Sequence, residues 1–264
     1  MTAPNDASVS YSQSNWKIGA DTLLAKDVMI YASAATGYKA GGFNDGDAAS
    51  NPNLTYKPEH LIAYEGGLKG KFLDNRLQLN LAGFYYDYSD LQVSSVSAQT
   101  NTLQTQNAAR ARIYGGELEA RYAVTPEDRV NLSISALSAK YRSYLPADGI
   151  DWSDRSLDKS PKGTVALGLS HYFEFDSGAS LEAHVDTRWS SAYVVSDFST
   201  ATQYSQPSYT QTNLRLSWSS ADDHWRVELY GRNLENKNVI TGYNFGTFTL
   251  ADPRLYGVRT SYSF

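Results

Sequence analysis

The chain has 264 residues, a net charge of −5 and no cysteine, with 41% apolar and 19% charged side chains. This is enough chain for one large domain; it excludes disulfides, thiolate metal sites and cysteine nucleophiles, and it shows no basic surplus of the kind nucleic-acid binders carry. Mean hydropathy is −0.45 and no run of about 18 apolar residues occurs, which excludes a helical membrane bundle but not a β-barrel, whose strands show only alternate residues to lipid.

The aromatic content is unusual: 20 Tyr, 9 Phe and 5 Trp. Buried phenols need hydrogen-bond partners, so this much tyrosine suits a membrane–water boundary better than a dry core. A Tyr-rich soluble β-sandwich is the competing reading. The start, MTAPNDASVS, lacks the basic and apolar regions of a secretory signal. In an exported protein, Met1 would then be a mature end or an internal start.

Along the chain, strands are expected near 13–24, 28–37, 60–72, 76–91, 107–124, 130–143, 162–174, 180–190, 209–219, 225–233 and 256–264, about eleven in all. The segment 21–35 has some helical spacing, but Val28, Ile30, Ala32 and Ala34 fit a strand as well. The period of two is clear in Val130, Leu132 and Ile134 against Asn131, Ser133 and Ser135. It is clearest from Leu181 to Trp189, where Leu181, Ala183, Val185, Thr187 and Trp189 alternate with Glu182, His184, Asp186 and Arg188. Leu214, Leu216 and Trp218, then Trp225, Val227 and Leu229, and finally Tyr256, Val258, Thr260, Tyr262 and Phe264 repeat it. Short polar connectors at 26–27, 73–75, 125–129, 176–178 and 220–223 carry the Asp, Asn, Gly and Pro that turns favour. They alternate with long ones near 38–58, 92–106, 144–161, 191–208 and 235–254. Short turns on one side and long loops on the other are the pattern of outer-membrane barrels. The expected fold class is therefore all-β, an antiparallel transmembrane β-barrel, as one domain over 1–264.

Four stretches carry a family resemblance. IYASAATGYKAGGFN (30–44), IYGGELEARY (113–122), YGRNLENK (230–237) and DPRLYGVRTSYSF (252–264) are similar, in order, to barrel segments of TonB-dependent receptors, outer-membrane transporters. The resemblance implies the C-terminal half of a barrel of about 22 strands, without the plug domain and TonB-engaging box of the family. It implies uptake of a scarce large extracellular ligand, a ferric siderophore by default, with cobalamin or oligosaccharide as other family ligands. It also implies a bacterial outer-membrane location among lipid, coupling to the TonB complex through the missing N-terminal region, and Phe264 as the signal read by the barrel-assembly machinery. An odd number of strands, counted back from a periplasmic Phe264, would put the first strand's start outside the cell. A complete barrel has an even count, so a fragment is expected.

Residue by residue, Gly41 and Gly42 permit a sharp departure from a strand, and Gly115 and Gly116 permit a bend or close packing. Glu117, Glu119 and Arg121 share the lumen face, as a solvated wall or as a ligand path or plug contact. No catalytic residues, cofactor or metal site is expected. His184 and Asp186 offer two ligands, too few for a metal, and 44–47 resembles a calcium loop without its closing Glu. Phe198, Tyr204, Tyr209, Tyr243, Phe245 and Phe248 lie in or beside long loops, where they would stack on a ligand or form the outer girdle. A passive pore or small barrel, an outer-membrane enzyme and a soluble β-sandwich binding module are the alternative functions.

Overall fold

The computed structural model describes residues 8–44, 54–96, 103–145, 150–197, 202–244 and 247–264. Backbone pairing gives one antiparallel sheet of eleven strands: β1 (Lys17–Ala25), β2 (Val28–Lys39), β5 (Glu59–Phe72), β6 (Leu77–Val96), β7 (Leu103–Ala123), β8 (Asp128–Tyr144), β9 (Gly163–Glu174), β10 (Ser180–Ser190), β13 (Tyr209–Ser219), β14 (Trp225–Arg232) and β17 (Leu255–Tyr262). Each strand pairs with its sequence neighbour in that order, and β1 and β17 form the two open edges. The eleven expected strands are all present, and among the described residues there is no helix.

The connectors differ from expectation on the long side. Three contain hairpins of their own: β3 (Gly42–Phe43) with β4 (Thr55–Tyr56), β11 (Tyr193–Asp197) with β12 (Thr202–Gln206), and β15 (Ile240–Asn244) with β16 (Thr247–Leu250). A fourth, expected as a loop from 92 to 106, is largely the continuation of β6 and β7 through a bulged register to Val96↔Leu103. Polar residues such as Gln92, Ser94, Thr105 and Asn107 hide the alternation there, although Val93 and Gln104 in the same stretch are buried.

The short side forms as its residues dictate. Asp27, Leu73, Asp74, Asn75 and Asp223 adopt left-handed backbone (φ 54–67°), a conformation that Asp and Asn tolerate better than most residues. In the 124–127 turn the Thr125 hydroxyl accepts the Asp128 amide at 2.9 Å.

Register turns alternation into two chemically distinct surfaces. One lateral row reads Phe72, Leu77, Tyr122, Val130, Leu169, Val185, Leu214 across seven strands. A second, higher by four residues, reads Leu68, Leu81, Leu118, Ile134, Val165, Trp189. These side chains stay accessible, Leu81 at 49% and Leu169 at 43%. Such a large continuous apolar surface belongs against hydrocarbon. The opposite face carries Lys71, Gln78, Arg121, Asn131, Gly168, Asp186 and Asn213 in one row. That is the lumen wall.

The main buried cluster lies above the lipid zone. Trp152, fully buried, packs against Tyr141, Tyr144, Val93 and Ala109, with ring centroids 5.9 and 6.4 Å from Tyr144 and Tyr141. It folds the 150–162 connector back onto β7 and β8.

The faces differ in what they tolerate. Ile134→Arg, facing lipid, is expected to destabilise the folded protein in vesicles by about 2–4 kcal/mol, whereas Ser133→Arg, facing the lumen, is expected to change little. Denaturant midpoints of the two variants, read by tryptophan fluorescence, check this.

Candidate functional site

Two of the sequence motifs, at 30–44 and 230–237, prove to be joints that set the long-side hairpins. In the GYKAGGFN segment, a Cβ at Gly41 would collide with the Tyr56 carbonyl oxygen, and one at Gly42 would lie 2.6 Å from the Tyr56 hydroxyl. Glycine is required at Gly41 because the β4 backbone crosses so closely, whereas at Gly42 the Tyr56 side chain would have to move. Asn44 then clamps the segment to β7: its Nδ2 donates to the Thr105 carbonyl at 2.8 Å and its Oδ1 accepts the Thr105 amide at 2.7 Å. Asn44 therefore has a structural task, and the rest of the 44–47 stretch lies outside the described residues. In IYGGELEARY the two glycines differ. A Cβ on Gly115 would strike the Ala136 carbonyl oxygen, while Gly116, on the lipid face, has room.

The RNLENK segment is the exit of β14. Asn233 and Asn236 take left-handed backbone, φ 50° and 53°. Buried Asn233 holds the exit together: Oδ1 accepts the Lys237 amide at 2.8 Å, Nδ2 donates to the Lys237 and Asp252 carbonyls at 3.0 and 3.1 Å, and its amide donates to Asn213 Oδ1 at 3.0 Å. The Glu235 carboxylate accepts both the amide and the hydroxyl of Thr212, at 2.8 and 2.6 Å.

These joints bring two hairpins into contact. The Tyr193 hydroxyl donates to the Ile240 carbonyl at 2.8 Å, and the Ile240 amide donates to the buried Gln206 Oε1 at 2.8 Å. Across that junction three aromatic residues meet. Tyr204 lies 4.5 Å from Tyr243 and 5.1 Å from Phe248, centroid to centroid, and Tyr243 lies 4.7 Å from Phe248. Three of the loop aromatics singled out from the sequence are thus one cluster. Tyr209 sits apart, 6.5 Å from Tyr193; Phe198 and Phe245 lie outside the described residues. Beside the cluster is a hollow of about 450 Å³, lined by Gln206, Tyr209, Lys237, Asn238, Ile240 and Phe248 among others. That volume is within the range of small-molecule sites. Lys237 supplies a cation and Asn238 hydrogen-bonding groups. Sequence reasoning did not single out Gln206, Lys237 or Asn238 as site residues: Gln206 lies between two of the loop aromatics and Lys237 ends the YGRNLENK motif, but nothing local says that they line one hollow.

A third connector supports the β11–β12 hairpin. Asp158 Oδ1 accepts the Ser196 amide at 2.7 Å, and Gln203 Nε2 donates to the Ser156 carbonyl at 2.9 Å. Burial pushes the Asp158 carboxyl above the usual range, partly offset by hydrogen bonding from Ser196.

The lumen wall is a ladder of polar pairs. Tyr31 donates to Glu65 at 2.6 Å, Asn213 to Asp186 at 2.8 Å, and Arg215 to Glu182 at 3.2 Å. His184 is held by the Ser170 hydroxyl at 2.8 Å and lies 3.7 Å from Asp186, a satisfied lumen histidine. Glu119 accepts a long contact from Asn80 at 3.5 Å, and Glu119 and Arg121 line a lumen hollow with His184 and Asp186. Phe264 projects beyond β17 on the short-turn side, its ring 5.1 Å from Tyr262.

Comparison with known proteins places this geometry. The family model described as TonB dependent receptor-like, beta-barrel, matches residues 2–234. Among solved structures, the ferric yersiniabactin uptake receptor of Yersinia pestis superposes with a TM-score of 0.76 at 21% identity, over 94% of this chain and 37% of its own. The siderophore receptor PiuA of Acinetobacter baumannii gives 0.71 at 19% identity, over 93% and 35%. The ferripyoverdine receptor of the outer membrane of Pseudomonas aeruginosa gives 0.68 at 21%, over 94% and 32%. The chain spans about a third of the length of these structures.

Two outcomes follow from the joints. Asn233→Ala leaves several buried backbone groups unpaired and is expected to lower stability by about 2–3 kcal/mol, with faster hydrogen exchange at Lys237. For Asp158, a raised folded pKa means that its stabilisation is full below the unfolded pKa and is lost as pH rises through the folded one. Exchange at Ser196 is expected to accelerate over that interval, and Asp158→Asn is expected to abolish the dependence.

Proposed function

Because the chain belongs to the TonB-dependent receptor β-barrel family, we propose that it forms part of the wall and outer hairpins of a receptor in a bacterial outer membrane that takes up a ferric siderophore. The reading is of a transport protein and not an enzyme. The observation that carries it is the family match over residues 2–234, on a sheet with a polar lumen face and an apolar outer face. The named relatives' descriptions support the ligand class: one is a ferric yersiniabactin uptake receptor, one a siderophore receptor and one a ferripyoverdine receptor.

Within this reading each part has a task. Tyr204, Tyr243 and Phe248 offer ring faces on the long-connection side, the side that faces outward from the cell. A chelated ligand with planar aromatic groups would stack there, and the Lys237 ammonium would favour a complex with net negative charge. Phe198 and Phe245 belong to the same candidate set by sequence position. Coupling to the TonB complex and a plug would come from residues outside this chain, so these eleven strands alone would not carry out energised uptake. Phe264, projecting on the other side, would be the residue that the barrel-assembly machinery reads. Cobalamin and oligosaccharides remain the alternative ligands.

The test is ligand affinity in the full-length protein that carries this sequence. Tyr204→Ala with Tyr243→Ala is expected to weaken binding of the cognate ferric siderophore by about tenfold or more, from the loss of two ring contacts. Quenching of intrinsic fluorescence on titration measures it. Unchanged affinity in a variant that still reaches the outer membrane would remove these rings from the ligand site and leave them as the clamp between two hairpins.

A further inference from the structure

The outer face of β6, β7 and β8 carries a feature that passage through the lumen does not use. In β7, Ala109 and Ala111 are buried inward, so alternation turns Arg110 and Arg112 outward. Register sets Asp87, Arg112 and Lys140 side by side on three neighbouring strands. Arg142, at the bulge in β8, reaches the same patch, with its guanidinium 3.3 Å from the Asp87 carboxylate. Four cations therefore lie on this stretch of β7 and β8, one of them paired with the Asp87 carboxylate. Among the described residues Arg110, Arg112 and Lys140 enter none of the ion pairs. Both Arg112 Nε and Asp87 Oδ1 are shielded from solvent and have no hydrogen-bond partner among the described residues.

The position of the patch decides its meaning. Immediately toward the short-turn side, Tyr64, Tyr85 and Tyr114 form the next lateral row, and the Arg112 guanidinium sits 5.7 Å from the Tyr85 ring centroid. The lower boundary of the apolar face is the Phe72–Leu77–Tyr122 row. From Tyr122 to Tyr114 the strand advances about 27 Å. At a tilt of about 40° that is about 21 Å of membrane depth, and Arg112 lies about 26 Å up. The apolar band of such barrels is about 25 Å tall. The tyrosines thus fall at its upper edge and the cations just beyond it, at headgroup depth.

Below the tyrosines the surface is hollowed. Gly66, Gly83, Gly116 and Ala136 share one row, and an added methyl at the three glycines would meet only backbone oxygens, at 3.4–3.9 Å. The Leu68–Leu81–Leu118–Ile134 row closes the furrow on its other side. A furrow under an aromatic ledge, capped by four cations of which only Arg142 enters an ion pair among the described residues, matches an amphiphile with an anionic head and hydrocarbon tails.

We propose that this face is a binding site for a phosphate-bearing, multiply acylated lipid of the surrounding leaflet. Its phosphate lies among Arg110, Arg112, Lys140 and Arg142, and an acyl chain lies in the Gly66–Gly83–Gly116 furrow. The proposal rests on the outer-membrane reading above, and its occupant is a lipid because both the charge and the furrow face the bilayer. Free phosphate supplies only half of what the site recognises.

The experiment uses the full-length protein and its R110Q/R112Q/K140Q/R142Q variant, both purified in a neutral detergent. The probe is a bisphosphorylated, hexa-acylated glucosamine disaccharide lipid, compared with its dephosphorylated form and with free pyrophosphate, and retained lipid is read by native mass spectrometry. The wild type is expected to retain the phosphorylated lipid about 100-fold better than the variant. Dephosphorylated lipid and pyrophosphate are expected to compete poorly. A second variant, G83L/G116L, fills the furrow and is expected to lower retention with the cations intact. Equal retention of the two lipid forms by the wild type, or full competition by pyrophosphate, overturns the proposal. Heat-modifiable migration and outer-membrane fractionation of the same samples separate the two readings. Loss of both indicts the membrane reading, whereas a folded, correctly located wild type that shows no phosphate preference refutes the lipid site alone.

Discussion

In hydrocarbon no water is available to a backbone amide or carbonyl, and each unpaired group costs several kcal/mol. The structure depends on this constraint. It requires every crossing strand to pair on both sides, which the antiparallel register from β1 to β17 does at each internal strand. It does not limit strand length: β6 and β7, at 20 and 21 residues, continue beyond the span that about ten tilted residues cover. The outward groups of β1 and β17 fall under the same rule. In a bilayer they must pair with each other or with further strands, and an eleven-stranded sheet with two open edges is consistent with a segment of a larger barrel wall.

Once the backbone is committed to the ladder, the side chains divide the work. One residue in two faces lipid and must be apolar in the band between the Tyr122 and Tyr114 rows. The other faces an aqueous lumen and is free to be charged. The lumen ion pairs, such as Arg215 with Glu182, are partly exposed, with side chains 40% and 16% accessible. Pairs of this kind add little to stability. Their value lies in presenting a wall of fixed polarity. Beyond the lipid edge neither restriction holds, and there the chain builds its hairpins with side-chain amides: Asn44, Gln206 and Asn233 each pair backbone groups that no strand partner reaches.

The eleven sheet strands, the five short turns and the side of the long connections are legible in the sequence, because a period of two and the turn residues are local signals. The resemblance in four motifs points to the family that the match over residues 2–234 shows. The hairpins β3–β4, β11–β12 and β15–β16 are not legible. They have five residues per strand at most, too short a run for a period of two to stand out even where Thr247–Leu250 alternates. Tyr204, Tyr243 and Phe248 can be picked out as loop aromatics, but nothing in their spacing says that their rings meet. Gln206 and Lys237 lie beside or within stretches the sequence marks, but nothing local assigns them to a shared hollow.

The sequence by itself therefore determined which residues form strands, which of their two faces is apolar, and where the chain reverses, since each follows from residues within about ten positions of one another. Only the tertiary structure decided which residues stand side by side. Register is set by strand pairing between residues far apart in the chain, and it alone places Arg112 beside Asp87 and Lys140, and three glycines in one furrow. A one-residue slip would have sent every one of those side chains to the other face.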